Sequence, residues 1–303
     1  MRHGVTIALA AALATHAVAC SSRGPQLAVA DAAGVALGAA VISVTEPDPT
    51  VSLASAPLIF ASGPAALVDG LRDRASVRCP VGMALVGDRV CMDRWEATLA
   101  RIVDGKEEAW SPFYPVDGIE KPGRFPFFAK TAPHKKPQAY ISGRQAELSC
   151  RAAGKRLCTT TEWDTGCRGA AKLQFPYGNE RRANVCNDTV REKHPVIEAT
   201  NAAGIFGDKV WLDGMNLPEI NQMADTLAFT GAHEECVSSE GVFDMVGNVH
   251  EWVADADGTF RGGFYMDTTH NGDGCSYKTS AHDFNYHDYS TGFRCCSDPE
   301  SIE

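Results

Sequence analysis

The chain has 303 residues, 11 cysteines and a formal net charge of −10 at pH 7. The acidic balance argues against a nucleic-acid-binding protein, because such proteins carry a basic face for the phosphates. The length permits one large domain or two ordinary ones.

The first twenty residues have the layout of an export signal. Met1–His3 carry a positive charge, the apolar run VTIALAAALA follows, and small residues precede Cys20. Such a run is too short to span a bilayer as a helix, and it is removed on export. Residues 1–19 are therefore predicted to be a signal peptide of the lipoprotein type, with a lipidated Cys20 that anchors the protein to a membrane of the bacterial cell envelope. An ordinary cleaved signal is the alternative, because Ala17 stands where lipoprotein motifs usually have leucine.

The cysteines are consistent with export. Without Cys20, ten remain between Cys79 and Cys296, and an even number in an exported protein indicates a disulfide framework. No CxxC pair occurs, and the adjacent Cys295 and Cys296 favour two separate bridges over one metal site.

Composition divides the rest of the chain in two. Residues 20–78 are rich in Ala, Val, Ser, Gly and Pro and predict a low-complexity tether. Its segment Leu27–Val44 raises a second membrane possibility, but Asp31 and the Ala/Gly content favour a linker. Residues 79–303 hold every Trp and Tyr, and aromatic side chains supply the burial that a folded core requires.

The start of this domain resembles a hairpin. The segment Cys79–Ile102 alternates apolar and polar residues around Gly87-Asp88, which is typical of two antiparallel strands.

Two helices follow. The segment Ser142–Leu157 is predicted to be helical, with Ser142 as its N-cap and Gly154 near its end. A second short helix begins at Thr160. Beyond Gly178, turn-forming residues recur too often for long elements, so we expect an α+β domain with many loops and little regular secondary structure.

Four sequence blocks carry more specific information. They are AAGKRLCTTTEWDTGCRGA (152–170), FPYGNERRANVCN (175–187), GVFDMVGNVHEWVAD (241–255) and FRGGF (260–264), the last followed by STGFRCC (290–296). In this order and spacing they resemble the formylglycine-generating enzyme family, also called the sulfatase-modifying-factor domain. The resemblance covers roughly residues 79–296.

The resemblance implies a disulfide-rich variant of the C-type-lectin-like fold and structural calcium. The ligands matched to the family are Asn184 and the carbonyl of Val185 at one site, and Asn248, the carbonyl of Val249 and Glu251 at the other. Calcium prefers such hard oxygen ligands. Further ligands of the first site would lie near Asp208 or Asp213. The alternative is that these side chains only cap turns.

The resemblance and proximity in sequence also suggest the disulfide pairing. The family pattern pairs Cys150 with Cys295 and Cys167 with Cys275. The remaining cysteines would then pair as Cys79–Cys91, Cys186–Cys236 and Cys158–Cys296.

Active members of the family oxidise a sulfatase cysteine to formylglycine with copper(I), which two cysteines shortly after RGG bind. Counting back from Cys275 places those positions at His270 and at Tyr265 or Met266, and none of these is a cysteine. We therefore expect calcium but not copper.

Three alternatives keep a catalytic centre. Met266 and His270 could hold copper, because thioether and imidazole are both possible ligands. Cys275 could remain a free thiol and act alone. A non-haem iron site could use His270, His282 and His287.

The other polar residues of the blocks, which are Arg156, Glu162, Trp163, Trp252 and Arg294, are expected to be buried framework residues. The sequence thus favours a membrane-anchored binding or accessory protein with an unidentified protein, peptide or glycan ligand. The alternative is a formylglycine-generating or other metal-dependent oxidase with a divergent site.

Overall fold

The computed structural model describes residues 77–116, 125–188 and 191–301. The predicted signal peptide, Cys20 and all but the last two residues of the predicted tether lie outside these ranges. The strands are β1 Val77–Arg78, β2 Met83–Val86, β3 Val90–Asp93, β4 Ala97–Val103, β5 Lys106–Ala109, β6 Phe127–Thr131, β7 Arg156–Leu157, β8 His250–Trp252, β9 Phe260–Arg261, β10 Lys278–Thr279, β11 Thr291–Phe293, β12 Cys295–Ser297 and β13 Glu300–Ser301. The helices are α1 Gly143–Ala152, α2 Thr160–Arg168 and α3 Pro195–Ala202, with four short 3-10 helices between Gly207 and Ser276.

The described strands form four small sheets. Their orders are β1-β13, β10-β9-β8-β11, β2-β3-β12-β7 and β5-β4-β6. Only β8 and β11 pair in parallel, and the other pairs are antiparallel. The α+β class is therefore confirmed, with mixed sheets and few helices.

The predicted hairpin forms, but it is shorter than expected. Strands β2 and β3 pair across Gly87-Asp88, and both turn residues have a positive φ. The chain then leaves this sheet, and β4 joins β5 and β6 instead. The hairpin ends at Asp93 because β3 takes β12, not β4, as its second neighbour.

The local sequence predicts correctly where α1 begins, but not where it ends. The Ser142 hydroxyl accepts from the Gln145 N–H at 3.2 Å, and the Gln145 side chain accepts from the Ser142 N–H at 3.0 Å, which is a complete capping box. The helix ends at Ala152, before the predicted Leu157. Gly154 has φ +72°, and Arg156–Leu157 pairs with β12.

The folded domain begins before its predicted boundary at Cys79. Val77 and Arg78 pair with Ser301 and Glu300, so the two ends of the domain lie side by side in one antiparallel sheet. The last two residues of the predicted tether therefore belong to the folded domain.

Five disulfides cross-link the described residues. They are Cys79–Cys91, Cys150–Cys295, Cys158–Cys296, Cys167–Cys275 and Cys186–Cys236, the same five pairs that the sequence suggested. Such a framework is typical of exported proteins. None of the helices in the described part of the chain is long and apolar enough to cross a membrane.

Candidate functional site

The disulfides decide which thiols are available for chemistry. All ten cysteines of the described residues are bonded. Cys275 is bonded to Cys167, so the alternative in which it acts as a free thiol is wrong. The eleventh cysteine, Cys20, lies outside the described residues. The described part of the chain thus offers no thiolate to a soft metal.

The Arg261-Gly262-Gly263 turn positions the loop that follows. Both glycines have a positive φ, and a Cβ on Gly262 would lie 2.7 Å from the Met245 carbonyl oxygen. No other residue type fits there. The Arg261 guanidinium donates to the Cys275 carbonyl at 2.9 Å, which holds the start of the loop against its end.

Several hydrogen bonds of this loop converge on the carboxylate of Asp267, a residue that the sequence motifs did not indicate. Its Oδ1 accepts from the backbone N–H groups of Thr269 and His270 at 2.9 and 3.0 Å, and its Oδ2 accepts from the Tyr277 hydroxyl at 3.0 Å. Burial raises the pKa of Asp267, but these hydrogen bonds outweigh it, and the net pKa is lowered. The signal in the sequence was an aspartate followed by Thr-Thr, a pattern typical of an Asx turn.

His270 and Met266, the alternative copper ligands, differ in exposure and in packing. The His270 side chain is 83% exposed, and its Nδ1 lies 2.8 Å from the Asp267 Oδ1. Met266 instead packs against a hydrophobic cluster that includes Tyr265 and Tyr289. The two predicted ligands therefore have different surroundings.

The histidines of the alternative iron site have separate partners. The His282 ring stacks on Tyr286 at 3.7 Å between centroids, while the His287 Nδ1 lies 2.9 Å from the Asn216 Oδ1. Across residues 77–116, 125–188 and 191–301, no group of three or more His, Cys, Asp or Glu side chains could hold a metal.

A cleft of about 510 Å³ opens beside the loop, and we call it the aromatic cleft. Its lining brings together segments that are distant in sequence. The lining residues are Trp211, Leu212, Met215, His250, Phe260, Phe264, Asn271, Tyr277, Thr279, Ala281, His282, Tyr286, Asp288, Tyr289 and Ser290. Trp211 and Leu212 are 50% and 69% exposed, so they present apolar surface at the mouth.

Polar groups at the base of the cleft are connected to one another. The buried His250 ring lies with Nε2 3.3 Å from the Tyr277 hydroxyl and Nδ1 3.1 Å from the Ser290 hydroxyl. The Ser290 hydroxyl donates to Asp288 at 2.7 Å, and so does the Tyr286 hydroxyl at 2.6 Å.

Two titratable side chains at the bottom of the cleft, His250 and Tyr277, are uncharged at neutral pH. Burial lowers the pKa of His250 to about 3, so the ring is uncharged at neutral pH. Burial raises the pKa of Tyr277 to about 12. Each of these groups is already engaged by a neighbour, which suits recognition of a ligand better than proton transfer.

Comparison with known proteins identifies the domain. Residues 92–299 match the model of the FGE-sulfatase family, the sulfatase-modifying factor enzyme 1-like domain. The chain belongs to the FGE-sulfatase family. The match covers most of the folded domain, including the aromatic cleft.

Two curated relatives share this FGE-sulfatase domain. The chain is 27% identical over 186 residues to the formylglycine-generating enzyme of Mus musculus, which covers 54% of the chain and 44% of that protein. It is 29% identical over 172 residues to the inactive C-alpha-formylglycine-generating enzyme 2 of Bos taurus, which covers 53% of the chain and 50% of that protein. The chain thus spans about half the length of these relatives.

A solved structure is also similar. PvdO from Pseudomonas aeruginosa has a TM-score of 0.40 and 17% sequence identity. The similarity covers 69% of this chain and 80% of PvdO.

The calcium site expected at Asn248, Val249 and Glu251 does not fit the ion in this structure. The two Glu251 carboxylate oxygens each accept from Arg294 at 2.6 Å, and Oε2 also accepts from the Trp163 Nε1 at 2.7 Å. The Asn248 Oδ1 accepts from the Asn187 side chain at 2.9 Å and from a backbone N–H. A guanidinium bound to both carboxylate oxygens leaves no place for a divalent cation.

The other expected calcium site, at Asn184 and Val185, has neighbours that differ from those expected. Asn184 and Val185 line a polar surface pocket together with Glu234 and Glu235. These two glutamates, rather than Asp208 or Asp213, are the carboxylates beside the Asn184 loop. Calcium at this loop stays a prediction.

The predicted framework residues have framework contacts. Arg156 and Glu162 form a two-fold ion pair with both distances at 2.7 Å, but their side chains are 39% and 21% exposed, so they are not buried as predicted. The Trp252 Nε1 donates to the Ile141 carbonyl at 2.8 Å inside the core. These side chains stabilise the domain and do not line the aromatic cleft.

Proposed function

We propose that this chain is an exported, lipid-anchored binding or accessory protein whose FGE-sulfatase domain does not oxidise sulfatase cysteines. The observation that carries the proposal is the bonding of all ten described cysteines in disulfides. Copper(I) chemistry in this family uses a cysteine pair, and a disulfide sulfur has no thiolate charge to offer the metal.

Two further observations support the proposal. Near the RGG turn, the Asp267 carboxylate accepts hydrogen bonds from the Thr269 N–H and the Tyr277 hydroxyl, and its hard oxygen atoms do not suit copper(I). One of the curated relatives is itself an inactive formylglycine-generating enzyme.

We place ligand binding in the aromatic cleft. Concave sites with apolar walls and a few fixed polar groups are the usual ligand sites of proteins. The cleft has this composition, with exposed Trp211 and Leu212 at its mouth and hydroxyl groups at its base. A protein, peptide or glycan ligand would suit it, and a C-type-lectin-like arrangement of the domain is part of the same proposal.

The activity test uses a peptide with the family's Cys-x-Pro-x-Arg target and copper(I). We expect mass spectrometry to find no aldehyde after incubation with the purified domain, while the Mus musculus formylglycine-generating enzyme converts the same peptide. Aldehyde that disappears in His270→Ala but persists in the exposed control His134→Ala would overturn the proposal in favour of a divergent oxidase.

The anchor is tested separately. Replacing Cys20 with serine should release the protein from the membrane fraction, because one acyl-bearing residue is the only proposed attachment. Membrane association that is unchanged in Cys20→Ser, measured by fractionation, would contradict the anchor without touching the assignment of the cleft.

A further inference from the structure

A second cavity lies on the β5-β4-β6 sheet and shares no lining residue with the aromatic cleft. Its volume is about 500 Å³, which is within the range of small-molecule sites. Its walls are mostly apolar and include Trp110, Pro112 and Phe113. The Trp110 Nε1 donates to the Tyr114 carbonyl at 3.2 Å. The polar atom of the indole is therefore satisfied, and its ring remains as apolar surface.

Three lysines and one glutamate also line this cavity, which we call the lysine-rimmed pocket. The glutamate, Glu107, is paired with Lys130 at 2.5 Å. Lys135 and Lys136 also line the cavity, so its lining carries more positive than negative side chains. Such a local excess is unexpected in a chain whose net charge is −10.

The Lys136 ammonium has N–H donors left that an anionic ligand could use. It donates to the Leu227 carbonyl and lies 4.5 Å from the centroid of the Phe229 ring. An ammonium has three N–H donors, and one carbonyl oxygen engages only one of them. Burial lowers the pKa of Lys136, since the protein removes water from the charge without supplying a carboxylate. An anion at the rim would replace that lost solvation.

We propose that the lysine-rimmed pocket binds a small amphiphilic monoanion. Its aromatic or aliphatic body would lie against Trp110 and Phe113, and its carboxylate or sulfonate would contact Lys135 and Lys136. A monoanion suits the site better than a polyanion, because Glu107 also lines the pocket. This site is independent of the aromatic cleft and of the proposed loss of oxidase activity.

The test compares two fluorescent probes that share an aromatic body. Anilinonaphthalene sulfonate carries one negative charge, and phenylnaphthylamine is its neutral counterpart. We expect the sulfonate to bind the full domain more tightly than the neutral probe. The double variant Lys135→Met/Lys136→Met should weaken the sulfonate by about tenfold, the usual size of a hydrogen bond to a charged group, and leave the neutral probe unchanged.

Controls distinguish this site from others. Lys106→Met lies on the same sheet outside the pocket and should leave both affinities unchanged. Trp110→Ala should weaken both probes. The single variant Lys135→Met, at an exposed position, should keep the fold and lose part of the sulfonate preference if the double variant is unstable. Equal affinities of the two probes in the unmodified protein would overturn the proposal, and so would a double variant that matches Lys106→Met.

Discussion

Replacing Arg294 with methionine should lower the free energy of unfolding by about 3–5 kcal/mol, the usual cost of removing one partner from a buried ion pair. The guanidinium is 1% exposed and binds Glu251 through two hydrogen bonds of 2.6 Å. It also donates to the backbone carbonyls of Asp93 and Phe243 at 3.0 and 2.8 Å. Methionine fills similar volume but removes the guanidinium donor from both carbonyls and leaves the carboxylate with only the Trp163 indole N–H.

The loss should depend on pH in a particular direction. Glu96 and Asp244 lie buried near the pair. Burial, with the charges of Asp244 and Glu251, raises the pKa of Glu96 well above its usual value, and burial raises that of Asp244 to about 7. Because the folded state holds these protons more tightly than the unfolded chain, their contribution to stability is complete below about pH 4 and is lost as pH rises, in the case of Asp244 through about 7. Without Arg294 the remaining carboxylates repel one another when ionised, so the loss should be larger at about pH 8 than at about pH 5.

Denaturant unfolding at both pH values measures this effect. The matched control is Arg156→Met, whose pair with Glu162 is partly exposed at 39% and 21% of the two side chains. Partly exposed pairs contribute about 1 kcal/mol or less. Equal losses for the two variants, or a loss at position 294 that does not change with pH, would contradict the importance of the buried acidic cluster.

Replacing the Cys150–Cys295 pair with two alanines should cost more than the roughly 3 kcal/mol that the loop-entropy relation gives for the Cys79–Cys91 pair. Cys158–Cys296 still closes nearly the same long loop in this variant, so the entropy contributions of the two pairs are similar and burial makes the difference. Cys150 and Cys295 are also fully buried, and their removal leaves a cavity.

Guanidinium unfolding of the two double-alanine variants gives the comparison directly. The Cys79→Ala/Cys91→Ala variant serves as the control, because it loses a bridge at the edge of the domain. A smaller loss for Cys150→Ala/Cys295→Ala than for this control would contradict the contribution of burial at this bridge.

Local chemistry explains which elements the sequence could predict. Ser142 supplies its own capping oxygen, so the start of α1 is predicted from four residues. Its end is not, because Arg156–Leu157 is removed from the helix by β12, more than a hundred residues later. Helix α3 was missed because His194 at its N-cap makes no capping hydrogen bond with its side chain.

The candidate site was harder to predict for a related reason. Asp267 was missed because counting back from Cys275 assumed a fixed loop length, whereas the residue is defined by its contact with Tyr277. The aromatic cleft combines Trp211 with residues from Phe260 to Ser290. No periodicity links these segments, since only the folded chain brings them together. The disulfide pairs could be proposed because the family resemblance implied two of them and proximity in sequence suggested the other three.

The pairing of β1 with β13 has a mechanical consequence when tension acts on the chain that precedes the domain. Tension along the preceding chain would first separate the two residue pairs Val77–Ser301 and Arg78–Glu300. The next residue is Cys79, which is covalently joined to Cys91 inside the β2-β3 hairpin. The disulfide would then carry the load into β3, which lies between β2 and β12, so further peeling would require that sheet to break.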